Sequence, residues 1–422
     1  MDIGSTDEEK VCFVEESEFL QQLDKEKIFW IMNVFILFLY AVDIFGFPNK
    51  LAIVWIGIVG VYYWKNQNLI NFDIKFFLLT LAMVFHAVIF KYYSPDFSIT
   101  LTLSLAVVPI LFYLLGRQLI GVASTENNYE DKAEVVTLVI TIGMFVHALL
   151  NFYAWTQGHD GKLWDDFWPD VLCTVTTQHS FLAVAAGGLF AYGIYYITKK
   201  WYISVVTLFM ALTVNIINII YDNRMVLAIS IVVLGMNAVI YMYLNRKSKK
   251  AWYTVGGALL VIVIGLVLIF GLNLGNIRES QYIYNLVNRD GGIVNNIRFK
   301  YQASAITQLL SHWRGGVTME LPGTGFAHNY WLDMANHTGL ASFIPMVLFT
   351  VGTLVDMVRL ILSDYVSNRL KYLLPSVFIS IFLYHCMEPG GIARPDYILY
   401  LTIMAGIIYQ TRKCMEENRT LK

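Results

Sequence analysis

The sequence predicts an all-α integral membrane protein, a bundle of about 12 transmembrane helices with one large extracytoplasmic loop that contains an amphipathic helix. Three observations carry this. Of the 422 residues, 57% are hydrophobic and only 14% are charged, whereas soluble domains run near a quarter charged. The mean hydropathy is +0.56. Apolar runs of about 20 residues recur along the chain, and in lipid such runs leave backbone groups no partner but their own helix.

The elements follow in order. Residues 1–27 form a polar, acidic tail with Lys10, Lys25 and Lys27 as its only cations. It lacks the basic start and small-residue cleavage site of a secretory signal, so the first span is expected to stay as an uncleaved anchor. Residues 28–422 read as a single polytopic domain with apolar segments at 28–46, 49–64, 75–93, 99–120, 134–154, 173–197, 201–221, 224–244, 252–274, 339–362, 372–387 and 396–411. Most of the 30 Lys and Arg fall in the tail and in alternate connections, with the largest cluster at Arg246, Lys247, Lys249 and Lys250. Positive charge marks the cytoplasmic side, which predicts that both termini are cytoplasmic.

Against this pattern, residues 275–338 form a polar island assigned to the outside. It carries Arg278, Arg289, Arg298, Lys300 and Arg314. Long loops escape the orientation rule, so the topology stands, but topology gives no reason for that charge. An anionic substrate does. Within the island Phe299, Ala303, Ile306, Leu310 and Trp313 recur at helical spacing, which predicts an amphipathic helix on the membrane surface. Arg298, Lys300 and Gln302 would point off that stripe. Pro322, Gly323 and Gly325 are expected to end the helix before His328.

His328 is the residue suited to taking a proton near neutral pH. An interfacial histidine also serves as a structural hydrogen-bonding group; the Gly-x-Gly turn, Asn329 and the nearby arginines favour proton transfer. His337, nine residues on, would lie on the opposite face of a continuous helix. Arg224 falls between two spans on the same side as the island, where a guanidinium fork either snorkels, pairs with Asp222 or binds phosphate oxygens. Glu388 and Arg394 flank Pro389-Gly390-Gly391 in another outer turn, as an ion pair shaping the site or as a cap.

A second outer loop, 155–172, is acidic and aromatic, with Asp160, Asp165, Asp166 and Asp170 among Trp155, Trp164, Phe167 and Trp168. The rings fit an interfacial belt or a sugar-contacting rim. The carboxylate spacing shows no metal signature. Cys12, Cys173, Cys386 and Cys414 are scattered, with no Cys-x-x-Cys pair, which supports neither a zinc site nor a disulfide framework.

The run Gly323-Thr324-Gly325-Phe326-Ala327-His328-Asn329-Tyr330-Trp331-Leu332, followed by Gly339-Leu340, resembles the signature of the O-antigen ligase and polymerase family. Asn223-Arg224 opening a span is similar to that family's Ser-Arg segment, with Asn in place of the usual Ser. Asn295-Asn296-Ile297-Arg298 matches its loop arginine. The resemblance implies an inverting glycosyltransferase that uses polyprenyl-diphosphate-linked glycans on the outer face of the bacterial inner membrane, without metal or other cofactor. It implies His328 as general base and Arg224 and Arg298 as diphosphate ligands. From the residues alone, Asn329 is a further substrate-binding candidate, and Arg289, Lys300 and Arg314 are weaker ones that equally suit a solvated or headgroup-facing place. The expected partners are the lipid-linked donor, a glycan or lipid-linked acceptor, membrane lipids and a chain-length regulator, and no nucleic acid. Polymerisation of repeat units is the preferred reaction; transfer of a finished chain by a ligase is the alternative. A lipid-linked glycan transporter fits the span count, but no half-to-half repeat is visible.

Overall fold

The computed structural model describes residues 25–44, 48–66, 72–121, 128–160, 163–168, 172–197, 199–249, 252–253, 255–257, 284, 297–321, 325–388 and 395–420. Among the described residues the chain is all-α apart from one short hairpin. The helices are α1 (residues 25–41), α2 (Pro48–Asn66), α3 (Ile74–Tyr93), α4 (Ile99–Gly121), α5 (Tyr129–Gln157), α6 (Val175–Tyr196), α7 (Trp201–Ile220), α8 (Arg224–Leu244), α9 (Ile297–Gln308), α10 (Tyr330–Thr338), α11 (Leu340–Leu362), α12 (Asn368–Met387) and α13 (Pro395–Thr420). Strands β1 (Leu163–Asp165) and β2 (Leu172–Thr174) pair antiparallel, with Trp164 opposite Cys173. Seven of the described helices, α3, α4, α5, α7, α8, α11 and α12, are long and apolar enough to cross a membrane. The predicted segment 252–274 lies largely outside the described residues, as do the tail up to residue 24, Arg278 and Arg289.

Close packing rather than hydrophobic exclusion has to hold apolar helices together where the solvent is itself apolar. Glycine supplies it along α4 and α13. A Cβ on Gly116 would collide with the Ile403 carbonyl, and one on Gly406 with the Tyr113 carbonyl, so the two backbones touch. Gly187 and Gly188 on α6 leave the same room for Ser380 of α12 and Thr141 of α5. Helix α6 is thereby wedged between α5 and α12, with Leu182, Ala183, Ala185 and Ala186 fully buried.

The two ends of the bundle differ in chemistry. At one end Asp73 caps α3, accepting from the amides of Lys75 at 2.8 Å and Phe76 at 3.1 Å, and its carboxylate also receives Arg117 at 2.7 Å. Beside it Asp356 pairs with Lys75 and with Arg412 at 3.0 Å. These pairs tie the helix ends α3, α4, α11 and α13. The opposite end holds the hairpin, the start of α6, the end of α12 and the segment 297–338.

That segment departs from the sequence expectation in one respect. The apolar stripe does face outward, with Phe299, Ile306, Leu310 and Trp313 exposed while Tyr301 and Ala305 are buried. The helix, however, ends at Gln308, well before Pro322. Two left-handed glycines, Gly315 at φ 80° and Gly316 at φ 88°, turn the chain back along α10. There the Gly316 amide donates to His337 O at 3.0 Å and the Val317 amide to Asn336 O at 2.8 Å. Glycine is required at 315, since a Cβ would press on the backbone of Thr338 and Gly339.

Replacing Gly406 by Val should lower stability by about 1–3 kcal/mol through overpacking against α4. Gly57→Val, where a Cβ meets nothing within 4 Å, should leave it unchanged. Thermal unfolding of the two purified variants in one detergent checks the contrast.

Candidate functional site

The site is built around the residue that caps the C-terminus of a helix. Glu388 caps the C-terminus of α12, its amide donating to Tyr384 O at 3.0 Å, and its carboxylate is buried. Arg298, in the first turn of α9, reaches it with Nη1 at 2.9 Å from Oε1. The same nitrogen donates to Met387 O at 2.9 Å. A cation at a helix C-terminus also meets the negative end of the helix dipole.

Two imidazoles complete the cluster. His179 of α6 brings Nδ1 to 3.7 Å from Glu388 Oε1, and His328 brings Nδ1 to 3.9 Å from Oε2. Burial alone would raise the Glu388 carboxyl. The two histidines and the charge of Arg298 overcome it and hold the group well below the usual carboxylate range. With a depressed folded value, its contribution to stability is complete above the ordinary Glu range and is lost only as the pH falls far below it. Exposure of the side chains rises across the cluster, from 4% for Glu388 and 10% for His179 to 19% for His328 and 30% for Arg298. The carboxylate is the floor and His328 and Arg298 form the open side.

His328 sits in a left-handed backbone conformation at φ 54°, three residues after Gly325 at φ 72°. A non-glycine residue there carries about 1–3 kcal/mol of strain and persists only where its neighbours fix it. The carboxylate of Asp333 does so, accepting the Ala327 amide at 2.6 Å and the Asn329 amide at 3.0 Å, one on each side of the histidine. Asn329 caps α10 by accepting the Leu332 amide at 3.2 Å, and its Nδ2 donates to Cys386 O at 3.3 Å. Gln302 of α9 donates to Cys386 O at 2.9 Å and to His328 O at 3.3 Å. The Tyr301 ring lies nearly parallel to the imidazole, 20° between planes and 6.0 Å between centroids. The backbone around His328 is thus fixed by Asp333 and Gln302, and the ring itself faces Tyr301 and Glu388.

Asp333 is itself fully buried. Burial, partly offset by the two amides and by His328, raises its carboxyl to about 6. The charged form is the penalised one, so its contribution to stability is greatest in acid and declines as the pH rises through about 6.

The structure thus brings together His328, Asn329 and Arg298 of the residues singled out in the sequence. Arg224 opens α8 at the same end of the bundle, half-buried, behind Asn223, whose side chain accepts the Met225 amide at 3.0 Å. Tyr221, three residues before it, packs on Trp164 at 5.2 Å and Trp155 at 5.6 Å, which joins that turn to the acidic aromatic loop. Lys300 and Arg314 are exposed, with Arg314 over the Trp313 ring at 4.8 Å. Arg289 lies outside the described residues. Glu388 pairs with Arg298; Arg394 also lies outside the described residues. His337 stacks between Phe90 at 5.8 Å and Phe326 at 6.1 Å, and burial lowers it to about 4, so it is a neutral packing residue. Sequence reasoning missed His179, Asp333 and the central place of Glu388. An ionisable residue within an apolar span is the signal that His179 offered.

Comparison with protein-family models and with curated proteins finds no match for this chain.

Asp333→Asn places an amide NH2 against a backbone N–H and removes a charge-assisted acceptor, a loss of about 1.5–3 kcal/mol. Hydrogen exchange at the Ala327 and Asn329 amides should quicken by roughly 10–100-fold, with the transmembrane helices unaffected.

Proposed function

We propose that the protein is an inverting glycosyltransferase that polymerises polyprenyl-diphosphate-linked repeat units. In this reading the chain crosses the bacterial inner membrane about 12 times, with both termini cytoplasmic and the Glu388 cluster on the outer face. The observation that carries the reading is the meeting of His328 and Arg298 on one buried carboxylate, open on one side. Their two motifs are 30 residues apart in sequence and resemble the two halves of one family signature.

The chemistry follows from the geometry. Glu388 faces Nδ1 of His328 and so favours the tautomer with its proton on that nitrogen, which leaves the Nε2 lone pair for a substrate. An acceptor hydroxyl gives its proton to Nε2 as its oxygen attacks the anomeric carbon. The bond from that carbon to the diphosphate breaks on the opposite face, which inverts the configuration. The departing polyprenyl diphosphate gathers negative charge, and fixed guanidinium groups of Arg298 and Arg224 stabilise it. Arg298 is pre-positioned by Glu388 and Met387 O and needs little reorganisation when that charge develops. Asn329 and Gln302 keep the loop in place rather than touch the sugar.

With purified protein and lipid-linked repeat units, the wild type should give a ladder of products on a gel. His328→Ala should abolish the ladder while the variant still inserts into the membrane; an unchanged ladder overturns the assignment. Arg224→Lys should lower the rate by about 100-fold or more, because a point charge does not reproduce a bidentate fork. Full activity in that variant would make Arg224 a structural residue.

A further inference from the structure

The hairpin end of the bundle holds a second polar cluster, separate from Glu388. Asp43 after α1, His147 in α5 and Asp166 after β1 each bring a ligand-type atom within 4.8 Å of the others. His147 and Asp166 are buried and Asp43 is half-buried. Two donors at about 2.1 Å from one ion stand at most about 4.2 Å apart, so a shift of a few tenths of an ångström in these side chains brings them onto one ion. The spacing of the three residues in sequence hides them, since they come from three separate elements.

The imidazole is already set for coordination. His147 Nδ1 lies 3.1 Å from Val42 O, and a carbonyl can only accept, so the proton is on Nδ1 and the Nε2 lone pair points into the cluster. A ring N–H anchored on a backbone carbonyl is the usual outer support of a metal-bound histidine. Around Nε2 stand two amide groups, Gln178 Nε2 at 2.9 Å and Asn151 Nδ2 at 3.3 Å. The Asn151 nitrogen is also 3.4 Å from Asp166 Oδ1. It thus supplies the positive end between an imidazole lone pair and a carboxylate, the place that a cation would take.

Gln178 gives the independent sign. It is fully buried, and its Oε1 has no hydrogen-bond partner among the described residues. An orphaned buried carbonyl carries a cost of about 1–3 kcal/mol. Rotation of that amide about its last bond turns the oxygen toward the His147 Nε2 side and offers a further ligand. Asn151 can turn in the same way, releasing a Trp164 contact of 3.4 Å.

We propose that Asp43, His147 and Asp166, with the Gln178 amide oxygen, form a binding site for one divalent first-row metal ion. Mixed carboxylate, carbonyl and imidazole donors suit Mn²⁺ or Zn²⁺ better than Ca²⁺, which takes oxygen alone. The ion clamps the hairpin to α1 and α5. Through Gln178 it also steadies the turn of α6 that carries the next residue, His179. Its role is to hold the site's wall, and the proposal does not depend on the reaction assigned above.

Tag-free protein in detergent, stripped with chelator and desalted, is titrated with Mn²⁺, Zn²⁺ and Ca²⁺ by calorimetry, with bound metal counted by elemental analysis. The expected result is one Mn²⁺ or Zn²⁺ per chain, weaker Ca²⁺ binding and a melting midpoint that rises with metal. Loss of outer partners alone costs about 10–100-fold in affinity, so Asp166→Asn and, separately, Asp43→Asn should lose at least that. Cys173→Ser, which alters the thiol beside Gln178 at 3.0 Å, should bind as the wild type does. Absence of stoichiometric binding by the wild type overturns the site. So does unchanged affinity in both Asp variants, which would place the ion elsewhere.

Discussion

A carboxylate withdrawn from water at the end of a helix is the constraint on which the candidate site depends. Glu388 stays charged only because Arg298 and two histidines surround it. Removing one partner from such a group leaves an uncompensated buried charge, a penalty of about 3–5 kcal/mol. The cluster therefore locks three distant pieces of chain, α6, α9 and the turn before α10, onto the C-terminus of α12. Electrostatics does here what apolar contact does along the helix flanks, where glycines let α4 and α13 touch.

A second carboxylate does different work. Asp333 makes no ion pair with Lys or Arg among the described residues; it accepts two backbone amides and bends the chain through a left-handed turn at His328. Strain of about 1–3 kcal/mol is stored where the half-buried imidazole emerges. The backbone at His328 cannot relax to a commoner conformation without breaking the two bonds to Asp333, which fixes the point from which the imidazole extends.

Much of the fold was legible because lipid leaves the backbone few choices. Long apolar runs had to be helices, and α3, α4, α5, α7, α8, α11 and α12 appear at the expected places. The outward face of α9 was readable from its stripe for the same reason. Its early end at Gln308 was not, because a glycine pair at 315–316 and strand-like bonds to α10 decide it. In the site, His328 and Arg298 stood out as polar residues in a basic segment. Glu388 was visible, as a pair with Arg394 or as a cap; Arg394 lies outside the described residues, and the pairing with Arg298, 90 residues back, gave no signal in the sequence. Asp333 and His179 gave little signal, since their meaning lies in contacts made across helices.

Helix α9 is two-faced at its very first turn. Arg298 points to the Glu388 carboxylate while Phe299, its neighbour, is exposed together with Ile306 and Leu310. An apolar flank of this kind suits the boundary between water and acyl chains. Two residues adjoining in sequence thus serve opposite surroundings, a buried carboxylate and the outside of the bundle. The ion pair thereby fixes the direction in which the apolar flank faces.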